Sequence, residues 1–383
     1  MIYADHAATA KLSPRALEAM MPFLTEEYGN ASSLYAPGRR ARRAVDRARE
    51  AVAACVGALP GEIYFTACGT ESDNWAIRAA AEANPGDALF VTTAVEHHAV
   101  LRTFEALRRA GRRTEILGVD GRGRLSPETL RRAVGGRAEA ASRAAFVSVM
   151  AANNEVGTLM PLAELAQAAH GAGALFHTDA VQALGHVPVD VSALGVDMMS
   201  FSAHKFGGPK GVGGLYVRKG VPLPPGLYGG GQEHGLRSGT ENVAGIVGMA
   251  AALKESCAGM REAAARVAAL RDRLIAGVLK LPGTRLTGDP AERLPGNASF
   301  VFDGIEGEAL VLLLDQRGVC ASSGSACSAG ALEPSHVLLA MGFSPDEARG
   351  ALRLSLGPDN TREEIDEILH ILPEVLRKLR NAG

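Results

Sequence analysis

The sequence predicts an α/β protein: a mostly parallel sheet covered by helices on both faces, joined to a second, smaller α+β unit. Three observations carry this prediction. Short apolar runs, turns and helical periods alternate through residues 62–220. The texture then changes to a proline- and glycine-rich connection, "VPLPPGLYGGGQEHGLRSGT" (221–240), and connections of that length inside compact proteins usually carry function or join domains. Finally, 383 residues exceed one ordinary domain and suit two that share an interface.

The elements follow in order. "EIYFTACGTESDNWAIRAAAEA" (62–83) reads as strand, glycine turn and helix, and "ALFVTTAVEHHAVLRTFEALRRAG" (88–111) repeats the scheme. "RLSPETLRRAV" (124–134) starts a helix with Ser126 as N-cap and Pro127 at the first helical position. "AAFVSVMAANNEVG" (144–157) is a strand entering a polar loop. "PLAELAQAAHGAG" (161–173) is a helix ended by glycine, and the strand "ALFHTDA" (174–180) follows it. "DMMSFSAHK" (197–205) and "GVGGLYVRKG" (211–220) are strands. A long helical stretch covers about 242–280. "NASFVFDGIEGEALVLLLDQRG" (297–318) and "ALRLSLGPDNTREEIDEILHILPEVLRKLR" (351–380) supply strands and amphipathic helices for the smaller unit. The expected division is a large domain at 15–255 and a small one at 256–383, joined by 1–14 and carrying the segment 321–330.

Composition narrows the function classes. Hydrophobic residues make up 47% and charged residues 21%, the balance of a globular protein, and the net charge of −2 gives no electrostatic case for nucleic acid or an anionic membrane. The arginines of "RRARRAVDRARE" (39–50) alternate with Asp46 and Glu50 at helical spacing, which reads as a solvated helix face. No apolar stretch of spanning length is evident, and "MIYADHAATAKLSP" is unlike a secretory signal. The five cysteines form no CxxC pair. Free thiols in a reducing, cytoplasmic setting are expected.

In open α/β sheets, ligands gather at the carboxyl ends of strands. Gly69 and Thr70 follow one strand and open a helix, whose free N–H groups suit a phosphate or simply begin the helix. Asp179 ends "ALFHTD"; Lys205 ends "MMSFSAHK", with Ser200, Ser202 and His204 beside it. An acid and a lysine so placed form either a structural ion pair or a pyridoxal phosphate site. In the latter, the lysine makes a Schiff base and the acid keeps the pyridine nitrogen protonated. Lys210 in "GPKGVGG" is the rival lysine, in a segment that lacks P-loop order. His97 and His98 follow another strand and could stack on a ring, bind metal or cap a helix; no carboxylate or cysteine lies near them at metal spacing, so no metal is expected. Asn153, Asn154 and Gln182 could satisfy ring oxygens. Arg353, inside the apolar run "ALRLSLG", needs a partner, either a substrate carboxylate or an internal acid. In "ASSGSACSAG" (321–330), Cys327 is the one residue with reactive chemistry.

Ten segments in register resemble one family: "YADHAAT", "GNASS", "TACGTESDN", "VEHHAV", "NNEVGT", "HTDAVQALGHVPVDV", "MSFSAHKFGGPKGVGGLYV", "GGGQEHGLRSGTEN", "ASSGSACSAGALEPSHVLLAMG" and "LRLSLG". Through nearly its whole length the chain resembles pyridoxal-phosphate cysteine desulfurases of the NifS/IscS type, in the class V aminotransferase group. The resemblance implies a fold-type I PLP-dependent transferase, acting as a homodimer. It implies Lys205 as the Schiff-base lysine, Asp179 on the pyridine nitrogen, and His97 over the ring. It implies Gly69, Thr70, Ser202 and His204 around the phosphate, with Thr240 reaching in from the second subunit. Asn154 and Gln182 would contact the ring-oxygen side. Arg353, Asn30 and Arg237 would grip the substrate carboxylate. Cys327 would be the nucleophile that takes sulfur from L-cysteine, leaving L-alanine, and passes it to an iron–sulfur scaffold or another sulfur-acceptor protein. Selenocysteine lyase and aminotransferase activities share the fold. A noncatalytic platform for iron–sulfur assembly would need neither Lys205 nor Cys327.

Overall fold

The computed structural model describes residues 1–135, 144–323 and 334–382. Its strands are β1 (Ile2–Tyr3), β2 (Ile63–Thr66), β3 (Leu89–Thr93), β4 (Arg113–Leu117), β5 (Ala144–Ser148), β6 (Leu175–Asp179), β7 (Met198–Ser202), β8 (Gly213–Val217), β9 (Thr284–Leu286), β10 (Asn297–Phe302), β11 (Val319–Cys320) and β12 (Ala351–Ser355). Among the described residues, seven of them form the main sheet in the order β2-β8-β7-β6-β5-β3-β4. β8 is antiparallel to both its neighbours, and the remaining pairs are parallel. All strands but β8 therefore end on one edge of the sheet.

The buried strands explain the apolar runs. β3, β5, β7 and β8 are buried at every position, as strands covered on both faces must be. Their alternation sorts side chains between two cores. Leu89, Val91, Val147 and Phe201 pack on one face; Phe90, Phe146, Met198 and Leu215 pack on the other, with Trp75 and Ile77 of the helix Gly69–Ala83 and Phe104 of the helix His98–Arg109. Ser126 caps its helix as expected, its Oγ accepting the Thr129 N–H at 3.1 Å.

A smaller antiparallel sheet has β10 between β12 and β9. Its core joins Phe300, Leu352 and Leu354 to Ile368 and Leu372 of the helix Arg362–Ala382. β1 pairs in parallel with β11, so the N-terminus lies against the segment that leads to residue 323.

The helix Val243–Val278 joins the two cores. Its first half puts Ile246, Met249 and Leu253 into the core of the main sheet; its second half puts Val267, Leu274 and Val278 into that of the small sheet. The expected division at 255/256 falls inside it.

Two expectations need correction. The helix Val243–Val278 is long and apolar enough, by length and composition, to cross a membrane. Its many alanines raise the mean hydropathy without large side chains, and it packs on the helices Pro14–Thr25 and Ala36–Val56. Nor is the arginine-rich stretch a simple solvated face. Arg49 is buried, forks onto Glu233 at 2.6 and 2.7 Å, and covers the Phe65 ring at 4.5 Å. Arg40 and Arg42 pair with Glu27 and Glu241.

Candidate active site

The carboxyl edge of the main sheet holds a cavity of about 400 Å³. Gly69, Thr70, His97, Asn154, Asp179, Gln182, Ser202, His204, Lys205 and Arg353, expected from the sequence, all line it. A cavity of about 450 Å³ lies behind Lys205, between residues 10–14 and the helix Val243–Val278. Lys205 is the one predicted site residue on its wall, so the chemistry belongs to the first cavity.

Each strand end delivers its group. β2 leads through Cys68 to Gly69, where the helix Gly69–Ala83 begins. A Cβ at Gly69 would stand 2.6 Å from Val181 Cγ2, so this turn is closed to larger residues. The first N–H groups of that helix have no partner within it and carry the positive end of its dipole. Ser202 ends β7, and the short turn Ala203–Lys205 follows, so Lys205 stands beyond the strand rather than at its end. His204 Nδ1 and Thr9 Oγ1 are 3.1 Å apart. Burial, and then Lys205, push the His204 pKa down to about 4.

Lys205 Nζ donates to the carbonyls of Ala7 and Ala8 at 2.6 and 2.9 Å, and Gln182 Nε2 donates to Ala7 at 2.9 Å. The N-terminal "DHAAT" turn is thereby tied to the site by backbone atoms. Asp179 Oδ1 accepts the Val181 N–H at 2.8 Å. Burial pushes Asp179 up to about 6, against the pull of that hydrogen bond and of Lys205. His97 caps the helix His98–Arg109, its Nδ1 accepting the Ala99 N–H at 3.1 Å. Burial, and then Lys205, lower His97 to about 4, so its ring is neutral at pH 7.

Arg353 is 2% exposed. Its Nη1 donates to the Asn154 carbonyl and its Nη2 to Asp5 Oδ1, each at 2.8 Å. An internal acid therefore accompanies it, yet it still faces the cavity.

Three predicted residues lie apart. Asn30 is exposed, and its Oδ1 accepts the Ser32 N–H. Arg237 pairs with Glu71 at 2.7 Å, and Thr240 is exposed. None of the three lines the cavity. Cys327, with residues 324–330 of its segment, lies outside the described residues.

The site also contains groups that the sequence did not single out. Asp73 and Glu155 line the cavity, and His336 faces His98 across it with ring centroids 4.6 Å apart. His336 Nε2 donates to the Glu96 carbonyl at 2.9 Å. Glu96 is fully buried beneath; its Oε1 accepts from Thr93 and from the Met150 N–H, and burial raises its pKa to about 8. For Asp73 a signal existed: it follows Gly69 by four residues, one helical turn, and so shares the face on which the helix starts. Away from the site, Cys55 and Cys257 lie beside one another where the helices Ala36–Val56 and Val243–Val278 meet.

These residues fit pyridoxal phosphate. Gly69, Thr70, Ser202 and His204 offer donors for a phosphate, a buried acid stands apart from them, and a lysine shares the cavity. Comparison with known proteins agrees in kind. The aminotransferase class-V family model matches residues 2–368. The chain is 47% identical over 383 residues to "Cysteine desulfurase IscS" of Methanosarcina thermophila, covering 100% of this chain and 93% of that protein. It is 50% identical over 382 residues to a "Cysteine desulfurase" of Cereibacter sphaeroides, covering 99% and 96%. Among solved structures, a "NIFS-like protein" superposes with a TM-score of 0.91 at 40% identity, covering 99% of this chain and 100% of that one. One described as "SspA in complex with cysteine" superposes with a TM-score of 0.81 at 31% identity, covering 94% and 100%.

Proposed function

The chain belongs to the aminotransferase class-V family, and from that premise we propose that it is a pyridoxal-phosphate-dependent cysteine desulfurase. It takes sulfur from L-cysteine, releases L-alanine and hands the sulfur to an acceptor. The observation that carries this reading is the meeting of Lys205, Asp179, His97 and Arg353 around one cavity, in a chain similar along its whole length to cysteine desulfurases.

Bound pyridoxal phosphate would supply an electron sink for negative charge at the substrate α-carbon. The chain's residues do the rest. Gly69, Thr70, Ser202 and His204 hold the phosphate at the helix start. Asp179, ionised above about pH 6, pairs with the ring nitrogen and keeps a proton there. Neutral His97 stacks without adding charge, and Asn154 and Gln182 face the ring oxygen. Lys205 anchors the cofactor through Nζ and moves the proton of the substrate α-carbon. Arg353 turns its buried guanidinium to the substrate carboxylate.

Cys327, as thiolate, attacks the substrate sulfur. A sulfur–sulfur bond forms, the substrate carbon–sulfur bond breaks, and the carbon takes up protons to leave as L-alanine. The persulfide then passes to an iron–sulfur scaffold or another acceptor thiol in the reducing cytoplasm. Thr240, Arg237 and Asn30 lie away from their own chain's cavity and would complete the site of a second copy in a homodimer. The large unit at 15–255 holds the cofactor; the small one, 256–383 with 1–14, supplies Arg353 and Cys327.

The test uses purified protein with pyridoxal phosphate, reductant and L-cysteine. Sulfide, alanine and one added sulfur at Cys327 by mass spectrometry are expected. Cys327→Ala should keep the visible spectrum and lose the added sulfur. Absence of both sulfide and alanine from the wild type would leave a noncatalytic platform as the better description.

A further inference from the structure

A second carboxyl stands near Asp179. Asp73 lies one turn into the helix Gly69–Ala83 and lines the same cavity. It is 1% exposed, and its Oδ1 has no hydrogen-bond partner among the described residues. Ser200 lies beside its carboxyl, and Ser200 is the register partner of Asp179 across β6 and β7. His177 Nε2 stands 3.8 Å from Oδ1. That imidazole cannot balance a charge: it is fully buried, its nitrogens are held by Ser148 and Ser200 at 2.8 and 2.9 Å, and burial keeps it neutral down to about pH 3. Glu96 and Cys68 also face Asp73.

A carboxylate taken out of water with one oxygen unpartnered is strongly disfavoured against its protonated form. Two carboxyls sharing a buried site do not both ionise readily. Burial first, and Asp179 second, raise Asp73 well above the usual carboxylate range. Asp179 is raised less, and Lys205 favours its charged form.

We propose that Asp73 is a positioning residue that stays protonated at neutral pH, leaving Asp179 as the ionised carboxyl that meets the ring nitrogen. This rests on the pyridoxal-phosphate reading. One negative charge then matches one ring proton.

The test compares wild-type holoenzyme with Asp73→Asn, which imitates the protonated acid, and Asp73→Leu, which removes it. In the infrared difference spectrum of wild type against Asp73→Asn at neutral pH, a carboxylic-acid carbonyl band that shifts in D2O is expected. Carboxylate bands in its place would overturn the proposal. The pH midpoint of the bound cofactor's visible absorption should be unchanged in Asp73→Asn. Asp73→Leu, which takes the polar group away from beside Asp179, should move that midpoint and weaken cofactor binding by about tenfold. A midpoint moved by about one pH unit or more in Asp73→Asn would mean that a charge had been lost, and would also refute the proposal. Should Asp73→Leu fail to fold, the infrared spectrum and the Asp73→Asn midpoint decide. A wild-type protein that takes up no pyridoxal phosphate would remove the cofactor reading, and the proposal with it.

Discussion

Replacing Arg353 with alanine separates substrate binding from cofactor binding. Its Nη1 and Nη2 are engaged by the Asn154 carbonyl and Asp5, while Nε is buried without a hydrogen-bond partner among the described residues. A substrate carboxylate can therefore take the remaining hydrogen on each Nη. Two charge-assisted bonds at the low end of about 1.5–3 kcal/mol each give roughly 3 kcal/mol, or about 100-fold in affinity for L-cysteine. The phosphate cradle and Lys205 are separate from the guanidinium, so pyridoxal phosphate affinity should change no more than about threefold. Loss of the bonds to Asp5 and Asn154 should lower stability by about 2 kcal/mol. The assay titrates L-cysteine against the visible absorption of the holoenzyme, and pyridoxal phosphate against the apoprotein. Asp5→Asn is the control, since it removes the internal partner and leaves the arginine. Equal losses of substrate and cofactor affinity in Arg353→Ala would show that the residue only holds the fold together.

Other outcomes follow from the same structure. Borohydride reduction of the holoenzyme should abolish its visible band and label Lys205, read by peptide mass spectrometry; a label on Lys210 would reassign the Schiff-base lysine. Glu96 keeps its proton to about pH 8 in the fold against 4.5 ordinarily. In that window the folded state binds more protons, so stability falls as pH rises, by at most about 1.4 kcal/mol per pH unit. Glu96→Gln should remove this fall and gain on the wild type from about pH 5 to about pH 8 in urea titrations of the apoprotein; parallel curves would contradict the assignment. Glu233→Ala strands the buried Arg49 and the Phe65 N–H. It should cost about 3–5 kcal/mol, and a loss below about 1 kcal/mol would mean that Arg49 finds water.

Much of the site could be read in the sequence because strand ends announce themselves. Asp179, Ser202 and Gly69 each follow an apolar run, and the sheet's common edge brings them together. Edge strand β4 gave no such signal: Arg113, Thr114 and Glu115 face less crowded surroundings, so its run is polar. Asp73 carried only its one-turn spacing from Gly69 as a signal, and an acid in the first turns of a helix otherwise reads as a solvated position. The anchors of Lys205 were hidden for another reason: they are the carbonyls of two alanines, and no side chain advertises them. The contacts of Arg49 with Glu233 and of Cys55 with Cys257 join residues far apart in the chain, where local periodicity carries no information.

The helix Val243–Val278 also acts as a lever. At 1.5 Å per residue its 36 residues make a rod of about 54 Å. Each half is clamped in a different core, so the two cannot rotate past one another without flexing it. Gly259 sits near the middle, and a side chain there would meet open space. A bend of about 5° at that point would swing the far end by roughly 2.5 Å, given its length. That is close to the difference between a hydrogen bond made and one lost. Small flexure of one rod would thus change the spacing between the part of the molecule that holds Lys205 and the part that holds Arg353.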